Sequence, residues 1–118
     1  MSRSAWQRKP PDFWIKQGDT APSIAEQLLD GNGDPVVLTG ASVKFMMWAP
    51  GDAAVKVNAA ATITDAATGK VSFTFSAAQT DTVGDYVAEW QVTYSGGAIE
   101  SFPNADWQKV RIKDDIAA

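Results

Sequence analysis

Hydrophobic and polar residues alternate one for one along much of this chain. From Asp85 to Tyr94, Tyr86, Ala88, Trp90, Val92 and Tyr94 fall on one side, and Val87, Glu89, Gln91 and Thr93 on the other. Successive side chains of a strand point to opposite faces. A period of two with one apolar side therefore predicts a half-buried antiparallel strand. Lys70 to Ser76 repeats the pattern, with Val71, Phe73 and Phe75 inward and Ser72 and Thr74 outward. Ala41 to Trp48 places Val43, Phe45 and Met47 on one face and Lys44, Met46 and Trp48 on the other. Near the end, Val110 and Ile112 alternate with Lys109, Arg111 and Lys113.

Weaker strands fill the gaps. Phe13 to Gln17 is short. Ser23 to Leu29 would also suit a helix, but Pro22 before it and a turn directly after it favour a strand. Ala53 to Val57 and Ala61 to Thr64 are expected to pair with each other. Ile99 to Phe102 is expected to form a hairpin with Asp85–Tyr94 through Ser95-Gly96-Gly97, where glycine supplies the positive φ that such turns need. Ser76 to Val83 reads as one helical turn bridging two sheets, capped by Ser76. Further turns fall at Asp30–Pro35, Pro50–Asp52 and Asp65–Gly69. Their spacing suits a sandwich or barrel. The expected fold is an all-β, immunoglobulin-like antiparallel β-sandwich of about seven to nine strands. Residues 1–11 read as an N-terminal arm, 12–115 as the sandwich and 116–118 as a C-terminal tail.

Composition narrows the chemistry. The chain has 118 residues, enough for one domain with a real core. It contains no cysteine and no histidine. Disulfides, thiolate metal sites, cysteine nucleophiles and histidine-based triads are therefore excluded within this chain. A formal net charge of −4 argues against duplex nucleic acid or an anionic membrane as partner. The one basic cluster, Arg3, Arg8 and Lys9, reads as a solvated arm. No apolar run approaches the roughly 20 residues of a membrane helix. The polar Met1–Pro11 segment does not read as a secretory signal, so the expectation is a protein made in a cytoplasm.

Asp30, Asn32 and Asp34 match the first three ligands of an EF-hand loop, but Pro35 stands where its glycine belongs and Ala41 where its glutamate belongs. The reading is a β-turn whose Asn and Gly residues are left-handed. Asp81 and Asp85 are close in sequence, as are Asp114 and Asp115. Neither pair sits in an aromatic setting suited to glycosidase chemistry, and both read as solvated charges. The chain carries five tryptophans. Trp90 reads as core. Trp48 and Met46 fall opposite the apolar face of their strand, and Trp6 lies in the arm. Exposed aromatic and methionine surface is enriched at protein interfaces. Trp6, Met46 and Trp48 are therefore the candidate contact residues. No catalytic, cofactor or metal residues are assigned. Thr82-Val83-Gly84-Asp85-Tyr86-Val87-Ala88 resembles the immunoglobulin stretch in which a tyrosine hydroxyl returns to nearby backbone, a structural role.

Larger motifs carry a family resemblance. Phe13-Trp14-Ile15-Lys16-Gln17-Gly18-Asp19-Thr20-Ala21-Pro22 resembles the opening of small immunoglobulin-like phage tail domains related to the N-terminal domain of the baseplate upper protein family. Asp30 to Phe45, with Pro35-Val36-Val37-Leu38-Thr39-Gly40-Ala41 at its centre, resembles the next block. Gly69-Lys70-Val71-Ser72-Phe73, Asp81-Thr82-Val83-Gly84-Asp85-Tyr86-Val87-Ala88-Glu89-Trp90 and Ser101-Phe102-Pro103-Asn104 resemble the later ones. The likeness spans Asp12 to about Asp115; the arm departs from it. It implies a non-enzymatic structural protein of a bacteriophage virion, in tail or baseplate. Its implied partners are other phage structural proteins and further copies of itself, with no cofactor. No long C-terminal extension carries a fibre or receptor-binding head, so the expectation is an assembly or adaptor part. The alternative is a receptor- or carbohydrate-binding sandwich, which predicts an exposed aromatic platform beside carboxylates or amides.

Overall fold

Strands with one apolar face must bury it against a second layer, and here they do so as two sheets. The computed structural model describes residues 12–51, 54–103 and 108–114. Nine strands are described: β1 (Phe13–Lys16), β2 (Ile24–Gln27), β3 (Ser42–Trp48), β4 (Val57–Ala60), β5 (Thr62–Asp65), β6 (Lys70–Phe73), β7 (Gly84–Thr93), β8 (Ile99–Phe102) and β9 (Gln108–Lys113). The larger sheet has the order β1-β9-β7-β3-β4, with β8 also paired to β7; the smaller is β2-β6-β5. The all-β sandwich expected from the alternation is what forms.

β7 organises the large sheet. One of its edges pairs with β3 from Val87 to Thr93, in a register that sets Phe45 opposite Trp90 and Trp48 opposite Val87. Its other edge is shared. β9 takes Gly84 to Ala88, and β8 takes Trp90 to Thr93. The β7–β8 hairpin turns through Ser95–Gly97, with Gly97 at φ 97° and Tyr94 N–H donating to the Ala98 carbonyl at 2.8 Å. β1 lies on the far side of β9 and runs parallel to it, the one parallel pairing among the described strands.

The core lies between the sheets. Phe45, Phe73, Phe75 and Trp90 form an aromatic cluster in which Phe45 stacks on Phe73 at 4.8 Å and meets Trp90 edge-on at 4.8 Å. Such pairs add about 0.5–1.5 kcal/mol each beyond their area burial. The Trp90 indole is fully buried, and its N–H donates to Gln108 Oε1 at 2.9 Å, which satisfies both polar groups.

Two sequence expectations need correction. The described residues of the expected Ala53–Val57 strand do not pair with Ala61–Thr64. The strands there are β4, which pairs with β3, and β5, which pairs with β6. Ala61 alone separates them, and its N–H still donates to the Val43 carbonyl. A hairpin needs turn residues, and Ala60-Ala61 offers none, so the chain crosses between sheets instead. In the Asp30 turn, Gly33 takes a left-handed φ of 85°, but Asn32 does not. The turn is held from Asp30, whose carboxylate accepts the N–H groups of Asn32 and Asp34 at 2.8 and 3.0 Å.

The return from β6 to β7 is the expected single turn, a 3₁₀ segment Ala77–Thr80. Gln79 Oε1 caps it by accepting the Ser76 N–H at 2.8 Å. Buried Thr80 donates its hydroxyl to the Asp19 carbonyl at 2.9 Å, tying this turn to the loop after β1. Gly69 is a steric requirement: a Cβ there would lie 2.6 Å from the Val36 carbonyl oxygen, and its φ is 73°.

Candidate functional site: the outer face of the large sheet

The alternation that buries Val43, Phe45 and Met47 sends Met46 and Trp48 to the opposite face, where both are half-buried. Their cross-strand neighbours follow from the register. Met46 lies between Asn58 of β4 and Glu89 of β7. Trp48 lies beside Val87, and beyond Val87 comes Lys109 of β9. Val87 shares this outer face, yet it is only 5% exposed. Its register neighbours are Trp48 on one side and Lys109 on the other. Sequence reasoning put Val87 among the outward residues; it is outward and yet buried.

The next row continues to the sheet edge. Asp85 faces Arg111, and Arg111 faces Trp14. Asp85 accepts from both the Nε and an Nη of Arg111. That forked contact raises the guanidinium pKa further above its ordinary value. The same guanidinium lies 5.1 Å from the centroid of the Trp14 ring, and the Lys113 ammonium lies 4.7 Å from it. Both distances are within cation–π range. Trp14 is 43% exposed. Trp14, Arg111 and Lys113 were not singled out from the sequence. The signal was present: Ile15 inward places Trp14 outward, as Val110 and Ile112 place Arg111 and Lys113 outward.

Of the three residues expected to make contacts, the structure brings Met46 and Trp48 onto one strand face. Trp6 lies outside the described residues.

The acidic residues have separate structural partners. Asp81 pairs with the Lys56 ammonium and accepts the Thr82 hydroxyl at 2.8 Å. The hydrogen bond from Lys56, then that from Thr82, lowers its pKa below 3.8. Asp85 turns instead to Arg111. A cavity of about 440 Å³ lies between the Ala54–Lys56 and Thr82–Tyr86 segments, and Asp85 is the one carboxylate among its described lining residues. At the start of β7 the Tyr86 hydroxyl donates to the Thr82 carbonyl at 2.7 Å, the expected tyrosine corner. On the far side, burial and then the hydrogen bond to Glu100 push the Tyr94 phenol up to about 12.

Two packed sheets, closed by a corner tyrosine and carrying a half-covered aromatic face, define a small β-sandwich module. The sequence profile of the BppU N-terminal domain matches residues 13–102. The chain belongs to that family, the N-terminal domain of the phage baseplate upper protein, as its turn and strand motifs suggested. Among solved structures it is similar to the N-terminal domain of phage TP901-1 ORF48, with 18% identity and a TM-score of 0.64 over 90% of this chain and 91% of that one. At that identity the likeness establishes the fold. No curated protein matches the sequence. Family membership gives the chain a structural role in a phage baseplate, hence a place in the virion among other phage structural proteins.

Proposed function

We propose that the chain is a non-enzymatic assembly or adaptor module that works through protein–protein contacts of its outer sheet face. Residues 12–115 form the working domain, with residues 1–11 and 116–118 as arm and tail. The carrying observation is the strip Met46, Trp48, Val87 and Trp14. It places two tryptophans and a methionine on a sheet face over which no further layer packs among the described residues. Aromatic side chains and Met are the residue types enriched at protein interfaces, and the adjoining Arg111 is the enriched cation. Homo-oligomerisation fits this reading, because virion parts are built by symmetric repetition. A glycan-binding reading requires an open aromatic platform, whereas Trp14 carries Arg111 and Lys113 over its ring.

The test compares solution mass and circular dichroism of the native chain with a Met46→Ala/Trp48→Ala variant, alone and mixed with the other baseplate proteins of its phage. The expected result is lost association with an unchanged β-sheet spectrum. Undiminished association by the variant would overturn the reading.

A further inference from the structure

On the flank of the sandwich away from β4 and β5, the two sheets gape. The opening is a cavity of about 200 Å³ with Trp90, Phe102 and Leu28 in its wall and Glu26, Leu29 and Pro103 at its rim. Its size is below the ~300 Å³ at which small-molecule sites begin, so it suits a single large side chain. Its flanking strand is open too. β2 pairs with β6 alone, and no described strand lies along its other edge. Leu28 N–H bonds the Gly69 carbonyl across that ladder, so alternation turns the backbone groups of Ala25 and Gln27 outward. An apolar slot beside an open strand edge is the geometry that accepts an extended peptide by strand addition. The rim also leaves Leu29 42% exposed.

We propose that this slot is a docking site for the chain's own segment Met1–Pro11, with Trp6 in the cavity. Reach, charge and period each support that occupant. Asp12 N–H donates to the Lys109 carbonyl, and Gln108, the next residue, holds the Trp90 indole in the slot's wall. The six residue steps from Asp12 to Trp6 span up to about 20 Å, twice the ~10 Å between packed sheets. The segment holds Arg3, Arg8 and Lys9, three of the ten basic residues, and none of the fourteen acidic ones. Glu26 lies on the face of β2 that carries core residue Ile24, at the mouth of the slot. In an extended segment Trp6 and Arg8 share a side, so a tryptophan in the cavity brings Arg8 to the side of Glu26. The segment then covers the β2 edge, which protects it from pairing with foreign strands.

The absence of cysteine from the chain makes the test direct. Leu29→Cys is combined with Ala5→Cys or with Gln7→Cys in the full chain, and oxidation is followed by mass and non-reducing electrophoresis. The control pairs the same segment positions with Val83→Cys, an exposed site beside the other cavity. The expected product is a disulfide within one chain, formed roughly tenfold faster than in the control because docking raises the effective concentration. Adding Trp6→Ala abolishes that advantage. Bonds formed only between chains would assign the slot to a second copy and overturn the proposal, as would equal rates in test and control or no bond at all. None of these outcomes depends on whether the Met46–Trp48 face binds another protein.

Discussion

The two faces of β3 and β7 are made by the same strands and differ in almost everything else. On the inner face Phe45, Met47, Trp90 and Val92 have no exposed surface, and the one polar atom of Trp90 is bonded. On the outer face Met46 and Trp48 are half-covered, Val87 is buried, and charged residues alternate with aromatic ones. The inner face is specified by packing, so its residues answer to each other. On the function proposed above, the outer face answers to a partner, because a folded monomer gains little from presenting tryptophan to water. On that proposal a strand carries two separable messages, stability on one side and recognition on the other.

The most severe way to test that separation is Trp90→Ala. It opens a cavity in the aromatic cluster and leaves buried Gln108 without its donor. The expected loss is ~3–5 kcal/mol by chemical denaturation, enough to unfold a marginal domain. Trp48→Ala should cost only about 1–2 kcal/mol, from the part of its ring that is covered. Equal costs at these two sites would break the comparison. Tyr86→Phe sharpens it further. It keeps the ring and removes the bond to the Thr82 carbonyl, for a loss of about 1 kcal/mol by chemical denaturation, with association unchanged.

The smallest effect is electrostatic. Asp81 has its pKa lowered in the fold by Lys56 and Thr82. Its contribution is therefore present above the unfolded value of 3.8 and is lost as pH falls through the lower folded value. Thermal melts of the native chain and Asp81→Asn should differ slightly at neutral pH and converge once acid protonates Asp81 in the folded state. Because Asp81 is exposed, the gap at neutral pH should be small and should shrink in salt.

How much of this was readable in the sequence depended on how local each determinant is. β3, β6, β7 and β9 were legible because a strand with one wet and one dry face writes its period directly into the chain. The hairpin at Ser95–Gly97 was legible because glycine marks its backbone. The sheet to which β5 belongs was not, since alternation gives the face of a strand and says nothing of its neighbour. The Gln108–Trp90 bond joins residues eighteen apart in sequence, with no local mark. On the candidate face, Met46 and Trp48 were readable from one strand. The Asp85–Arg111–Trp14 row needed three strands set in register, two of them the first and last of the described sheet.

That pairing of first and last strands has a mechanical meaning. β1 and β9 lie side by side and point the same way, Phe13 beside Val110 and Lys16 beside Lys113. Tension applied before Phe13 and after Lys113 therefore pulls the two strands in opposite directions along their length. The hydrogen bonds between them share the load in shear rather than opening one after another. A domain held by its two ends in this way resists traction along its strands and is weaker to a pull across them, which suits a link placed in line with a force.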